Sequence, residues 1–219
     1  MDRVKSLIPG LDGLMGGGFP STDVVLLSGG TGTGKTVFGL QYLCSSKDKG
    51  IYISFEDEPD EIRSIADSFG WDIDKMESNG RVRVVKFDPF QLEDVMDLVQ
   101  NNIREMKAPR AVIDSISSLG TYVNQVSELR RNILLIKEMM KKNGCTTVMI
   151  SESGSGMSRF GIEEFVADDV IFLQKFLSKG EYKGGLSIEK MRGSQHSIKV
   201  HPYQIGRNGF SVSGKSLIV

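Results

Sequence analysis

The chain is poor in the residues that most directly announce a chemistry. Its 219 residues include two cysteines, two histidines and one tryptophan. Cys44 and Cys145 stand far apart in mostly apolar stretches, matching neither a disulfide framework nor a metal-ligand spacing. Both read as buried small hydrophobes, and a reducing cytoplasm is the expected location. An excess of one charge is missing too. The 27 Lys and Arg residues against 28 Asp and Glu leave a net charge of −1, which argues against a bulk electrostatic grip on nucleic acid or a membrane. No stretch approaches the length of a membrane span, so no membrane insertion is expected. Met1-Asp2-Arg3-Val4-Lys5 leads into no apolar run of the secretory type. With no linker, low-complexity tract or internal repeat, one domain over residues 1–219 is expected, long enough to bury a proper core.

What the chain does have is Gly29-Gly30-Thr31-Gly32-Thr33-Gly34-Lys35-Thr36, which reads G-x-x-x-x-G-K-T, the P-loop pattern. The apolar run Val24–Ser28 precedes it and a helical stretch from Val37 to Leu43 follows, the strand–loop–helix setting the motif requires. Glycines let backbone N–H groups turn inward around phosphate oxygens, and the helix N-terminus adds its positive dipole end. Lys35 is expected to reach the β- and γ-phosphates, and the Thr36 hydroxyl to ligate Mg²⁺.

Strands and helices alternate for two thirds of the chain. Candidate strands are Ile51–Phe55, Val82–Val85, Ala111–Ile113 and Thr146–Ser151. Asp57-Glu58-Pro59 opens a helix to about Phe69, with proline in its first turn, and Asp72–Ser78 forms a further short one. From Gln91 to Met106, Leu92, Val95, Met96, Val99, Ile103 and Met106 repeat at helical spacing. Val126, Leu129, Ile133, Ile136 and Met140 mark a long helix that Asn143-Gly144 ends. Such alternation predicts an α/β fold with a mostly parallel sheet flanked by helices. The last third differs. Val170–Leu173, Leu186–Met191, Ile198–Ile205 and Phe210–Val212, separated by turn signals at Lys179-Gly180 and Gly184-Gly185, predict an antiparallel β extension on one sheet edge.

Hydrolysis needs an acid for the metal and a base for water. Asp114 directly follows the apolar run Ala111–Ile113, the Walker B arrangement, and is the expected second Mg²⁺ ligand. Glu56 and Asp57 end the strand after the P-loop helix, where a carboxylate can deprotonate water. Asp57 and Glu58 also suit a helix cap, which leaves Glu56 the better base. Lys190 and Arg192 flank Met191 and share one strand face. The residues alone leave two readings open there, a solvated edge or a pair of cations for a γ-phosphate.

In order and spacing these motifs resemble the RecA-superfamily ATPases, most closely the single-domain KaiC-like proteins common in archaea. The resemblance runs along almost the whole chain: Ile8–Leu14 with Gly16–Pro20, the P-loop, Phe55-Glu56-Asp57, Ser68–Asp72, Arg159–Asp168 and Lys190–His196. It implies a RecA-like core, ATP and Mg²⁺ as ligands, and Glu56 as catalytic base with Asp57 supporting. It also implies a six-membered homo-oligomeric ring with ATP between neighbours, Lys190 and Arg192 acting in trans, and Ser194 and His196 near the base or ribose of that nucleotide. Neither Glu164 nor Phe165 carries a hydroxyl, which argues against self-phosphorylation of the clock-protein type.

A regulatory ring ATPase serving a protein partner is therefore expected. The alternative is a nucleotide-dependent scaffold with little hydrolysis, like the related archaellum-motor component. DNA recombination fits poorly, since residues 115–127 hold no Lys or Arg and residues 152–160 hold only Arg159.

Overall fold

A computed structural model describes residues 2–217 except 89–91, 122, 124, 155 and 179, with only the backbone of 92–95. The parallel strands are β3 (Val24–Gly29), β4 (Gly50–Ser54), β5 (Val82–Lys86), β6 (Arg110–Asp114), β7 (Thr146–Glu152) and β8 (Asp169–Ser178). Antiparallel strands β9 (Glu181–Met191), β10 (His201–Gly206) and β11 (Gly209–Val212) extend the sheet, giving the order β11-β10-β9-β8-β3-β7-β6-β4-β5. A separate two-stranded ribbon pairs β1 (Arg3–Val4) with β2 (Phe19–Pro20).

Helices cover both faces, as a parallel sheet requires. Val25 and Leu27 of β3 point into one core with Phe38, Tyr42, Ile62, Ala66 and Phe210. There pack α2 (Lys35–Cys44), α3 (Pro59–Asp67) and α4 (Ile73–Ser78), with α1 (Leu11–Leu14) nearby. Val24 and Leu26, one residue out of phase, point into the other core with Val99, Ile103, Ile133 and Met140. That face is covered by α5 (Leu92–Met106) and α7 (Val126–Lys142), with α6 (Ile116–Leu119) and α8 (Glu163–Val166) as single turns.

Local chemistry accounts for the main boundaries. Pro59 opens α3, and Glu58 and Glu61 bond reciprocally to each other's backbone as a capping box. The Asp72 carboxylate accepts the Lys75 N–H at 2.8 Å to start α4. Asn143 caps α7 and Gly144 turns away at φ 69°. The expected helix start at Gln91 and the turn residue Lys179 lie outside the described residues.

The last third follows the expected plan with three shifts. Gly184-Gly185, expected as a turn, lies inside β9 and pairs with Lys175 and Gln174 of β8; a Cβ at Gly184 would come within 2.5 Å of the Tyr203 ring, so the glycine serves close packing and not a turn. Val170–Leu173 lies in β8, which is parallel to β3 and antiparallel to β9, so the change of direction comes one strand later than the composition suggests. The strand expected from Ile198 begins at His201. Ile198 is 91% exposed, because the chain first crosses to the N-terminal segment, where the Ser197 N–H donates to Leu14 O at 2.9 Å. Among the described residues no helix is long and apolar enough to cross a membrane.

The sheet order decides what meets what. Ser54 pairs with Asp114 and Gly29 with Glu152, so the C-terminal ends of β3, β4, β6 and β7 form one edge. Ligands of open α/β sheets bind along that edge.

Candidate functional site

The phosphate loop leaves β3 at Gly29 and enters α2 at Lys35. A Cβ at Gly29 would lie 2.6 Å from Leu173 O and 2.8 Å from Thr33 Oγ1, so no larger residue fits without backbone movement. Gly34 caps α2 at φ 91°, a left-handed conformation that favours glycine. Thr33 Oγ1 donates to Gly30 O at 2.8 Å and fixes the loop's first turn. The Lys35 ammonium donates to Gly29 O and Gly30 O at 2.9 and 3.1 Å, tying it to its own loop. Burial lowers its pKa, while Asp114, Glu152 and Glu56 oppose the shift.

Thr36 Oγ1 donates to Asp114 Oδ2 at 3.0 Å, and the Tyr52 hydroxyl donates to the same oxygen at 2.5 Å. Burial pushes the Asp114 carboxyl up to about 6; Glu56 and Asp57 add to this, and the two hydroxyl donors oppose it. A hydroxyl and a carboxylate side by side at a phosphate loop are the hard oxygen donors that Mg²⁺ takes alongside substrate phosphates. The donor set therefore fits the ion.

Glu56 and Asp57 follow β4 beside this pair. Glu56 Oε1 accepts from Ser115 Oγ at 2.8 Å and from Ser118 Oγ. Glu58 serves as the cap of α3, so Glu56 is free of that duty. Asp57 O accepts from Ser54 Oγ at 2.7 Å, and burial, with Glu56 and Glu61 nearby, raises the Asp57 carboxyl pKa. A carboxylate held by hydroxyls at the mouth of a phosphate loop is equipped to accept a proton from water.

The structure thus brings Gly30, Thr31, Gly32, Thr33, Gly34, Lys35 and Thr36 together with Asp114, Glu56 and Asp57. It also adds residues that the sequence reading missed. Tyr52, Ser115, Ser118 and Glu152 belong to no spacing motif. Glu152 had the one available signal, an acid directly after a strand on the same sheet edge; it pairs with Arg159 at 2.7 Å.

Lys190, Arg192, Ser194 and His196 are not part of this cluster. In the register Val25 faces Asp169, which faces Met191, whereas Gly29 faces Leu173. The Lys190–Arg192 arm therefore sits four residues back along β3, about 13 Å from the loop end of that strand. After an irregular register opposite Val170 and Ile171, β9 ends at Met191, so Arg192 lies in the turn past the strand and, contrary to expectation, does not share a strand face with Lys190. The Lys190 ammonium donates to Ala167 O at 2.6 Å and Glu164 O at 3.1 Å, while Arg192 is exposed. Ser194 Oγ accepts from Arg3, and His196 Nδ1 lies 3.1 Å from Ser197 O.

Comparison with known proteins places this geometry among relatives. Residues 4–216 match the family described as "ATPase: KaiC". A UPF0273 protein of Pyrococcus furiosus is 35% identical, over 96% of this chain and 93% of that protein. The circadian clock oscillator protein KaiC of Prochlorococcus marinus is 33% identical over 97% of this chain, which spans 45% of that longer protein. The crystal structure of a KaiC-like protein from Pyrococcus horikoshii superposes with a TM-score of 0.91 at 36% identity, covering 97% of this chain and 99% of that one.

Proposed function

The chain belongs to the KaiC family of ATPases, and on that footing we propose that it is a Mg²⁺-dependent ATPase that works as a six-membered ring with ATP between copies. Residues 1–219 act as a single domain, with a regulatory output passed to a protein partner. The observation that carries the ATPase reading is the convergence of Lys35, Thr36, Asp114 and Glu56 on one sheet edge.

The loop from Gly30 to Gly34 cradles the phosphates with its N–H groups, and Lys35 exchanges its two carbonyl partners for phosphate oxygens. Thr36 and Asp114 hold Mg²⁺, which when bound neutralises charge on the β- and γ-phosphates. Glu56 takes the proton of the attacking water, aimed by Ser115 and Ser118 and supported by Asp57. The arm of Lys190 and Arg192 lies about 13 Å along the sheet from its own loop, which supports its acting on another copy's triphosphate. Ser194 and His196 follow that arm toward the base or ribose.

Glu56→Gln is expected to bind Mg-ATP like the wild type and to hydrolyse it about a hundredfold more slowly; undiminished turnover removes Glu56 as base. Lys35→Ala and Arg192→Ala chains, each inactive alone, are expected to regain hydrolysis when mixed in assemblies of six 24.1 kDa chains. No recovery in assemblies verified by mass to contain both overturns the shared pocket.

One observation favours a second reading, a nucleotide-dependent switch with little turnover. Two seryl hydroxyls already donate to Glu56 Oε1, so an attacking water has to displace them or use the other carboxylate oxygen. Brisk phosphate release without a partner would dispose of it.

A further inference from the structure

Asp169 opens β8 directly beneath the Lys190–Arg192 arm, opposite Met191 in the register. It is fully buried. Its Oδ1 accepts the Arg192 backbone N–H at 3.1 Å, and its Oδ2 has no partner among the described residues. A buried carboxylate with an unused oxygen is costly. A neutral asparagine would accept the same N–H without burying a charge, so strand pairing alone does not account for an acid here.

Its charged surroundings come from four sides: Asp23 ahead of β3, the adjacent Asp168, Lys137 and Lys141 from α7, and Lys190 at the end of β9 with Arg192 just past it. Lys137 is paired with Asp168, and Lys141 with both Asp23 and Asp168. Lys190 is bonded to backbone carbonyls. The Arg192 side chain is the cation of this group left without an acceptor among the described residues, and its backbone is what Asp169 holds.

We propose that Asp169 is a positioning residue for the arm, fixing the backbone at Arg192 from beneath and so setting the direction in which the guanidinium leaves the sheet toward a second copy's triphosphate. This rests on Arg192 acting in trans.

The chemistry of the clamp gives it a signature. Burial, with Asp23 and Asp168 adding and the Arg192 N–H opposing, pushes the Asp169 carboxyl up to about 7. The ionised form is the stronger acceptor, so arm-dependent hydrolysis falls as pH drops through that value. Stability runs the other way. A raised carboxyl pKa means that the folded chain binds the proton more tightly than the unfolded one. The resulting stability is complete below the unfolded value and is lost as pH rises through about 7.

The test measures hydrolysis and melting of wild type, Asp169→Asn, Asp169→Ala and Arg192→Ala between about pH 5.5 and 8.5. Asp169→Ala is expected to lose about tenfold in kcat with KM unchanged. Asp169→Asn, a neutral acceptor like the protonated acid, is expected to show at every pH the reduced rate that wild type shows at the acid end, to lose the acid limb near neutrality, and to gain in melting temperature relative to wild type as pH rises to about 7. If Arg192→Ala is inactive while Asp169→Ala keeps the wild-type kcat and acid limb, Asp169 has no positioning role. If Arg192→Ala hydrolyses like wild type, the in-trans arm falls and this role with it. Should Asp169→Ala fail to fold, an acid limb unchanged in Asp169→Asn overturns the proposal by itself.

Discussion

Burial sets the behaviour of the Asp114 carboxyl first, and four neighbours modify it: the Tyr52 and Thr36 hydroxyls and the acidic pair Glu56 and Asp57 after β4. Tyr52 is the most telling. It lies within β4 and is fully buried, so its hydroxyl has to find an acceptor, and it finds the acid proposed to hold Mg²⁺. Tyr52→Phe is expected to cost about 1–2 kcal/mol of stability. It is also expected to raise the Asp114 carboxyl above its present value of about 6, weakening Mg-ATP binding in weakly acid buffer. Melting curves and a Mg-ATP titration of the variant check both. Lys35, Thr36 and Asp114 were legible in the sequence because spacing to a glycine loop or a strand end fixes their positions. Tyr52, Ser115 and Ser118 were not, because a serine or tyrosine acquires a partner only when the sheet order sets β6 beside β4.

At the scale of elements, the junction between α8 and β8 is tied down by charge. Asp168 pairs with Lys137 at 2.6 Å and Lys141 at 3.0 Å, and it accepts the Val24 N–H at 3.1 Å. Burial pushes its carboxyl upward, but the two lysines and the amide outweigh it and hold the pKa below the usual value. That contribution to stability is present above the unfolded carboxyl pKa and is lost as pH falls through the depressed folded one. Asp168→Ala is expected to destabilise the chain by about 3 kcal/mol at neutral pH and to flatten its acid unfolding, as read from denaturant midpoints across pH. Wild-type stability at neutral pH in that variant would mean that the knot contributes nothing. The long helices α5 and α7 were legible because several turns of apolar repeat reveal a period. The turns α6 and α8, four residues each, are too short to show one. Ile198 misled for a different reason: an apolar residue is not a strand unless a neighbouring strand is there to pair with it.

At the scale of the whole molecule, β–α alternation announced a parallel sheet, but the order of strands came from which crossovers the packing permits. That order gives β8 a singular place. It is ten residues long, hydrogen-bonded to β3 on one flank and β9 on the other. Toward one end, Leu173 abuts Gly29 and Lys175 Nζ stands 3.0 Å from where a Cβ on Gly32 would be. At the other, Asp169 grips the arm. If copies share pockets as proposed, this single strand spans from the pocket a copy owns to the one it completes next door. A push delivered where phosphates enter would be felt at the far tip, and pockets around an assembly would discharge in turn rather than independently. The rate of hydrolysis against ATP concentration is then expected to be sigmoidal; a plain hyperbola from intact assemblies would show that the strand carries no message.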